Sequence, residues 1–306
     1  MQNTLKTSVV FEGTGLHSGA PVRMVLRAAP ANHGIWFRRI DIRIGDAMVP
    51  ALWDAVDRTP LCTRLMNNAG VSVSTVEHLM AALTGCGIHN ALIEIDGPEV
   101  PILDGSAAPF VRGIMAQGVQ SLGAPLWAIQ VLKPVSVEKD GARATLLPAD
   151  SLEIEFHIDF QDAAIGRQSK NLKMANGAFA RELCDSRTFC RQSDVDAMHE
   201  NGLALGGTLE NAVVVDGANV LSPGGFRHTD EAVRHKMLDA LGDLALAGNP
   251  ILGRYIGERA GHSLTNTLLR ALFDTPDAVR MVLCDAKTAS DLPGYGLVWA
   301  EIPEVA

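Results

Sequence analysis

Three short stretches of the sequence hold side chains able to bind a metal or move a proton. In STVEHLMAAL (74–83) a glutamate and a histidine are adjacent, Glu77 and His78. Neighbours on a helix point about 100° apart, so the pair suits a division of labour rather than joint ligation. His78 would hold a cation, and Glu77 would reach a water beside it. The first turn of a helix also favours the neutral imidazole that a metal needs. The ordinary alternative is a capping box, with Ser74 as the cap and Glu77 three residues on, and taken alone it is the stronger reading.

In VRHKMLDALGDL (233–244), His235 and Asp239 stand at i and i+4. They share one helical face and lie about 6 Å apart along the axis. That spacing suits two ligands of one tetrahedral zinc, and equally an exposed face with a modest charge pair. Asp243 continues the face one turn later, where a carboxylate can orient a neighbouring imidazole. His262, in AGHSLTN (260–266), falls between a strand and a helix, where a lone histidine is more often a cap or a surface residue. Company changes its meaning. Two histidines and one aspartate leave open the fourth position that catalytic zinc keeps for water or substrate. A glutamate and a second histidine can then serve as base and acid.

The five cysteines, Cys62, Cys86, Cys184, Cys190 and Cys284, are odd in number and show no CxxC pairing. They read as reduced thiols of a cytoplasmic protein, so any metal must draw on the nine histidines and the carboxylates. A net charge of −9 argues against a nucleic-acid partner, which would call for a basic stripe. No apolar run approaches the roughly 18 residues of a membrane span. The N-terminus, MQNTLKTSVV, lacks the regions of a signal peptide. The expectation is a cytoplasmic monomer with a small-molecule substrate and no transmembrane segment.

The elements that must position these groups follow from periodicity. Residues 3–60 read as strands, a helix runs from Thr75 to Leu83, ALIEI (91–95) is a strand, and a second helix spans 106–118 with Ser106 as cap. The turn-rich stretch 118–125 is the expected domain boundary. Segments 127–138 and 142–148 flank Asp140-Gly141, a hairpin signal. In SLEIEFHIDF (151–160) apolar and polar residues alternate as in a half-buried strand. Helices are expected near 178–185, 194–201, 230–247 and 263–273, and strands near 251–258 and 280–285. EHLMAALTG (77–85) before strand 91–95 echoes RHKMLDALGD (234–243) before strand 251–258, each with an early histidine. Chance and duplication explain that echo about equally well.

Taken in order, GTGLHSG (13–19), STVEHLMAAL (74–83), DGPEVPILDGSAAPFV (96–111), DSRTF (185–189), LGGTLENAVVVD (205–216), VRHKMLDALGDL (233–244) and AGHSLTN (260–266) resemble the UDP-3-O-acyl-N-acetylglucosamine deacetylases of Gram-negative bacteria. The blocks cover nearly the whole chain. The resemblance implies an α+β fold of two β-α-α-β sandwich domains, 1–122 and 126–306, with helices packed face to face and the active site in the cleft between them. It implies hydrolysis of the N-acetyl group of UDP-3-O-(3-hydroxyacyl)-N-acetylglucosamine, the committed step of lipid A biosynthesis.

Carried over residue by residue, the same resemblance makes His78, His235 and Asp239 ligands of one Zn2+, which Fe2+ can replace. Glu77 becomes the base that deprotonates the attacking water. His262 becomes the cationic group that stabilises the oxyanion and protonates the leaving amine, with Asp243 orienting it. Thr188 is placed to hydrogen-bond the oxyanion, and Lys236 to meet the sugar or diphosphate. Phe160 matches a position that stacks on uracil. An insert at about 189–214 is implied to form an apolar passage for the acyl chain, lined by Phe189, Val195, Met198, Leu209, Ala212 and Val214. There Cys190, Arg191 and Gln192 depart from the more apolar pattern of the family, which puts the acyl-chain length in doubt. Cys62 matches a position near the metal and carries no catalytic role. Two rivals remain: a zinc hydrolase of the same architecture acting on another amide or ester, and a catalytically silent UDP-sugar binding protein.

Overall fold

Alternating apolar residues build two sheets that carry the site between them. In Val9–Thr14, Val9 and Phe11 are buried while Val10 and Glu12 are exposed. In Leu152–Asp159, Leu152, Ile154, Phe156 and Ile158 are all buried, the period-2 pattern of a strand with one face on a core. The computed structural model describes residues 1–57 and 61–305. The strand reading over 3–60 therefore takes in 58–60, and the second domain reading takes in Ala306, which lie outside the described residues.

The described helices are α1 (Glu77–Gly85), α2 (Ala108–Gln117), α3 (Ala178–Glu182), α4 (Gln192–Glu200), α5 (Glu231–Ala245), α6 (His262–Asp274) and α7 (Ala286–Ser290). With the strands they make the α+β fold. No helix among the described residues is long and apolar enough to cross a membrane. One sheet has the order 9–14, 21–28, 91–95, 35–39, 48–50. The other runs 135–139, 142–148, 251–258, 127–131, 279–283, and Leu152–Asp159 with Arg167–Lys173 joins it through 251–258.

The internal echo has a counterpart in this topology. Ala91–Ile95, after α1, lies between antiparallel Pro21–Ala28 and parallel Ile35–Arg39. Ile251–Glu258, after α5, lies between antiparallel Ala142–Pro148 and parallel Leu152–Asp159. Each central strand is followed by a helix, α2 or α6.

Several local expectations need correction. Ser74 does not cap α1: the capping position is Val76, with no side-chain cap bond, and Glu77 turns its carboxylate to the backbone N–H of Thr63. The helix expected from Ser106 begins at Ala108, although the Ser106 hydroxyl does accept the Ala108 N–H at 3.2 Å. The stretch 127–138 is two strands, Trp127–Val131 and Val135–Lys139, broken around Pro134, which has no N–H for a ladder. Asp140 and Gly141, at φ 53° and 74°, make the tight turn to Ala142–Pro148. Arg167–Lys173 is not legible as a strand because Leu172 is its one apolar residue. Among the described residues it pairs with Leu152–Asp159 alone, and its residues alternate between exposed and half-buried. The boundary stretch is not all turn, since Val119–Ser121 pairs antiparallel with Asn3–Leu5.

Helices α1 and α5 pack against each other through faces that are almost wholly buried. Gly242 permits the close approach, because a Cβ there would sit 2.0 Å from the Glu77 carbonyl oxygen. Helix propensity alone would favour alanine at such a position by about 1 kcal/mol. The clash is with backbone and wins. Gly242→Ala is expected to destabilise the fold by about 1–3 kcal/mol, the usual cost of overpacking. A thermal melt checks this, and an unchanged or raised Tm would show that the helices can part without loss.

Candidate metal centre

The first turn of α1 and the second and third turns of α5 meet with His78, His235 and Asp239 inward. His78, His235 and Asp239 are all buried, and their ligand atoms lie within 4.8 Å of one another. Asp239 Oδ1 is 3.6 Å from His78 Nε2 and 3.3 Å from His235 Nε2. A tetrahedral zinc with bonds of about 2.0–2.2 Å sets its donor atoms about 3.3–3.6 Å apart. The two imidazole planes stand at 86°, edge to face, with both Nε2 atoms beside Asp239 Oδ1.

Three further features fit a cation. Asp239 Oδ1 is buried and has no hydrogen-bond partner among the described residues, while Oδ2 takes the Lys236 ammonium at 2.6 Å. A buried carboxylate oxygen left bare is costly unless something positive completes it. His235 Nδ1 lies 3.0 Å from the Ser186 carbonyl, which accepts its proton and leaves Nε2 with a free lone pair. Burial also lowers the His235 pKa to about 4, so the ring is neutral at ordinary pH. Asp239 is held well below the usual carboxylate range: burial opposes ionisation, but His235, Lys236 and His262 outweigh it.

The groups expected to move protons lie alongside. Glu77 Oε1 is 3.7 Å from His262 Nε2, and Glu77 Oε2 accepts the Thr63 N–H at 3.1 Å. Burial raises the Glu77 pKa against the pull of His262 and His78. His262 begins α6, and its Nδ1 is 2.9 Å from Asp243 Oδ2. Burial would lower its pKa, but Asp243, Glu77 and Asp239 overrule that and push it up to about 9. Two adjacent titratable groups with opposed environments are the mark of an acid and a base.

The centre opens into a cavity of about 870 Å³. Its walls include Thr188, Lys236, Phe160, Phe189, Val195, Met198, Leu209, Ala212 and Val214, every wall residue that the sequence singled out. Phe160 meets Phe189 edge to face at 5.4 Å, and Phe189 stands 6.2 Å from His235. Thr188 is fixed through its main chain, its N–H to Gly105 and its carbonyl to the Val213 N–H, both at 2.8 Å. Arg191 and Gln192, which broke the apolar pattern, turn to Asp194 and Asp196. The Lys236 ammonium donates to Asp239 Oδ2 from the cavity wall. Cys62 also lines the cavity.

Some residues here were not foreseen. His17 stands in the cavity wall with both ring nitrogens buried and without a hydrogen-bond partner among the described residues. Its loop is held by Glu99, whose carboxylate accepts the N–H groups of His17 and Ser18 at 2.8 Å and the Thr75 hydroxyl at 2.9 Å. Glu231, at the start of α5, accepts from the Arg187 backbone and guanidinium and from the Arg227 N–H. That buried ion pair fixes the loop bearing Ser186 and Thr188 against the helix bearing His235. Glu99 lies in a quoted block, but nothing in its spacing marks it as a clamp.

The family model for UDP-3-O-acyl N-acetylglycosamine deacetylase matches residues 2–274. A UDP-3-O-acyl-N-acetylglucosamine deacetylase of Phenylobacterium zucineum is 48% identical over 280 residues, 92% of this chain and 96% of that protein. Proteins of the same name from Idiomarina loihiensis and Shewanella frigidimarina are 44% and 42% identical over 293 and 294 residues. These cover 94% and 95% of this chain, and 95% of each relative. With likeness of that extent, and with the metal-ligating types it would require gathered at one point, the chain belongs to the UDP-3-O-acyl-N-acetylglucosamine deacetylase family.

Proposed function

We propose that this protein is a zinc-dependent amidohydrolase that removes the N-acetyl group of UDP-3-O-(3-hydroxyacyl)-N-acetylglucosamine, releasing acetate, in lipid A biosynthesis. One observation carries the reading: an acid–base pair, Glu77 and His262, lies 3.7 Å apart beside three ligand-type side chains whose shared vertex, Asp239 Oδ1, is bare. A silent binding protein has no use for that pair. His78, His235 and Asp239 hold the ion, Zn2+ by donor set, with Fe2+ an acceptable substitute. When bound, the ion supplies a Lewis acid that polarises the acetamide carbonyl and acidifies water.

The side chains do the rest. Glu77, ionised, takes a proton from the water that attacks the acetamide carbon. The Thr188 hydroxyl and the His262 imidazolium donate to the oxygen on which negative charge develops. As the C–N bond breaks, His262 passes its proton to the 2-amine of the sugar, and acetate leaves. Asp243 keeps His262 oriented and charged. Phe160 offers its ring to uracil, and Lys236 stands where it meets the sugar or diphosphate. The walls from Phe189 to Val214 take the 3-hydroxyacyl chain, and the Arg191–Asp194 pair puts a polar collar on that passage. A nucleotide-sugar substrate and five cysteines without CxxC pairing fit a cytoplasmic enzyme. The two sheets are our basis for proposing two sandwich domains, 1–122 and 126–306.

Acetate release from the acylated UDP-sugar, with and without a chelator, tests the reading. Chelator-sensitive release that falls sharply with the nucleotide-free sugar is expected. Equal turnover of both sugars would point to a hydrolase of other specificity, and tight binding without release in a zinc-replete sample to a binding protein.

The charge states also set a pH profile. Glu77 must be ionised, so activity falls on the acid side. His262 must be protonated, so activity is lost as pH rises through its pKa, about 9 or lower once a neighbouring cation repels its proton. Asp243→Asn removes the nearest negative charge and is expected to move the alkaline limb down by about 1–3 units. An unmoved limb would mean that another group sets it.

A further inference from the structure

Thr63 lies between the two groups that the reaction asks to hold opposite charges. Its backbone N–H donates to Glu77 Oε2 at 3.1 Å, and its hydroxyl donates to Asp243 Oδ1 at 2.5 Å. Asp243 gives its other oxygen to His262 Nδ1 at 2.9 Å, and His262 turns Nε2 toward Glu77 Oε1 at 3.7 Å. The four residues thus form a closed ring drawn from four separate stretches of chain. Thr63, Glu77 and Asp243 are each 3% exposed, so water does not compete for these bonds.

The ring has a physical consequence. A glutamate has three rotatable bonds and an aspartate two, and each could swing its carboxylate away from the imidazole. Thr63 occupies the outer oxygen of both, leaving one inner oxygen of each facing His262. Its own position is over-determined: the Val76 N–H donates to the Thr63 carbonyl at 3.3 Å, tying it to the entry of α1 on a second side. Its branched Cβ restricts χ1, so the hydroxyl is aimed rather than free to rotate. We infer that Thr63 is a positioning residue that sets the separation of the base Glu77 from the acid His262. The inference rests on the proposed reaction and adds to it a residue that touches neither the ion nor the substrate.

The rival role is a structural pin between this segment and the two helices. Thr63→Val keeps the shape and the backbone bonds but removes the hydroxyl, whereas Thr63→Ser keeps the hydroxyl. Both are compared with the parent as full-length, zinc-loaded protein, measuring acetate release from the acylated UDP-sugar, zinc content and Tm. Thr63→Val is expected to lose about 10- to 100-fold in kcat, the worth of one hydrogen bond to a charged group. KM and zinc content should stay close to the parent values, and Thr63→Ser should recover most of the rate. Parental kcat in Thr63→Val would overturn the inference. So would a loss shared equally by Thr63→Ser and accompanied by a lowered Tm, the signature of a pin.

A second readout needs no turnover. The low-field NMR resonance of the His262 Nδ1 proton is expected to shift in Thr63→Val and to return in Thr63→Ser, and an unmoved resonance would overturn the inference. If the parent released no acetate, the proposed reaction would fall, and this resonance would still decide what Thr63 does.

Discussion

Glu77→Gln is expected to lower kcat by about 10²- to 10⁴-fold, the usual scale of general acid–base catalysis, with zinc still bound. Glutamine keeps the length and volume of the side chain, and its carbonyl oxygen can still accept the Thr63 N–H that Glu77 accepts now. What it loses is basicity. The buried setting that raises the Glu77 pKa makes the native carboxylate a better proton acceptor than an exposed one. KM should change little, because Glu77 faces His262 rather than the apolar passage. Steady-state kinetics with metal analysis on one preparation decide the matter. Full turnover with zinc bound would remove Glu77 from the role of base.

The second large effect is on the ion itself. Asp239→Asn replaces an anionic donor by a neutral amide and should weaken metal affinity by more than about 10²-fold, the upper range seen even for outer partners of a ligand. Activity should fall with occupancy and should not return on adding zinc, although chelated parent protein should recover. The substitution also leaves the Lys236 ammonium, now 2.6 Å from Asp239 Oδ2, without its carboxylate. Breaking one side of a buried pair costs stability, so Tm should drop as well. Lys236→Met separates the two effects, since it removes the pair but leaves the ligand. Zinc retained at parental stoichiometry in Asp239→Asn would exclude Asp239 as a ligand.

The ligand types were legible because each sits in a helical repeat. His235, Asp239 and Asp243 recur every four residues, and burial of all three follows from the α1–α5 packing. What spacing could not show was convergence: it put His78 and His235 on separate helices without saying that these helices touch. The resemblance supplied that link. Ser74 misled for a physical reason, since serine followed three residues later by glutamate is a capping signal wherever the glutamate is free to turn back. Here Glu77 is held by Thr63 across the fold, and tertiary structure overrides the local rule.

Strands followed the same logic. Leu152–Asp159 was plain in the sequence because one face is buried. Arg167–Lys173 was hidden because an edge strand can carry a single apolar side chain, here Leu172, and be held by ladder bonds that leave no mark on side-chain type. Thr63, Glu99 and Glu231 were missed alike. Each acts through hydrogen bonds to groups distant in the chain, 180 residues in the case of Thr63 and Asp243.

The most direct test is anomalous X-ray scattering at the zinc edge from crystals of the zinc-loaded protein. A single peak is expected about 2.0–2.2 Å from His78 Nε2, His235 Nε2 and Asp239 Oδ1 together. Zinc found elsewhere, or bound by only one of those side chains, would contradict the account.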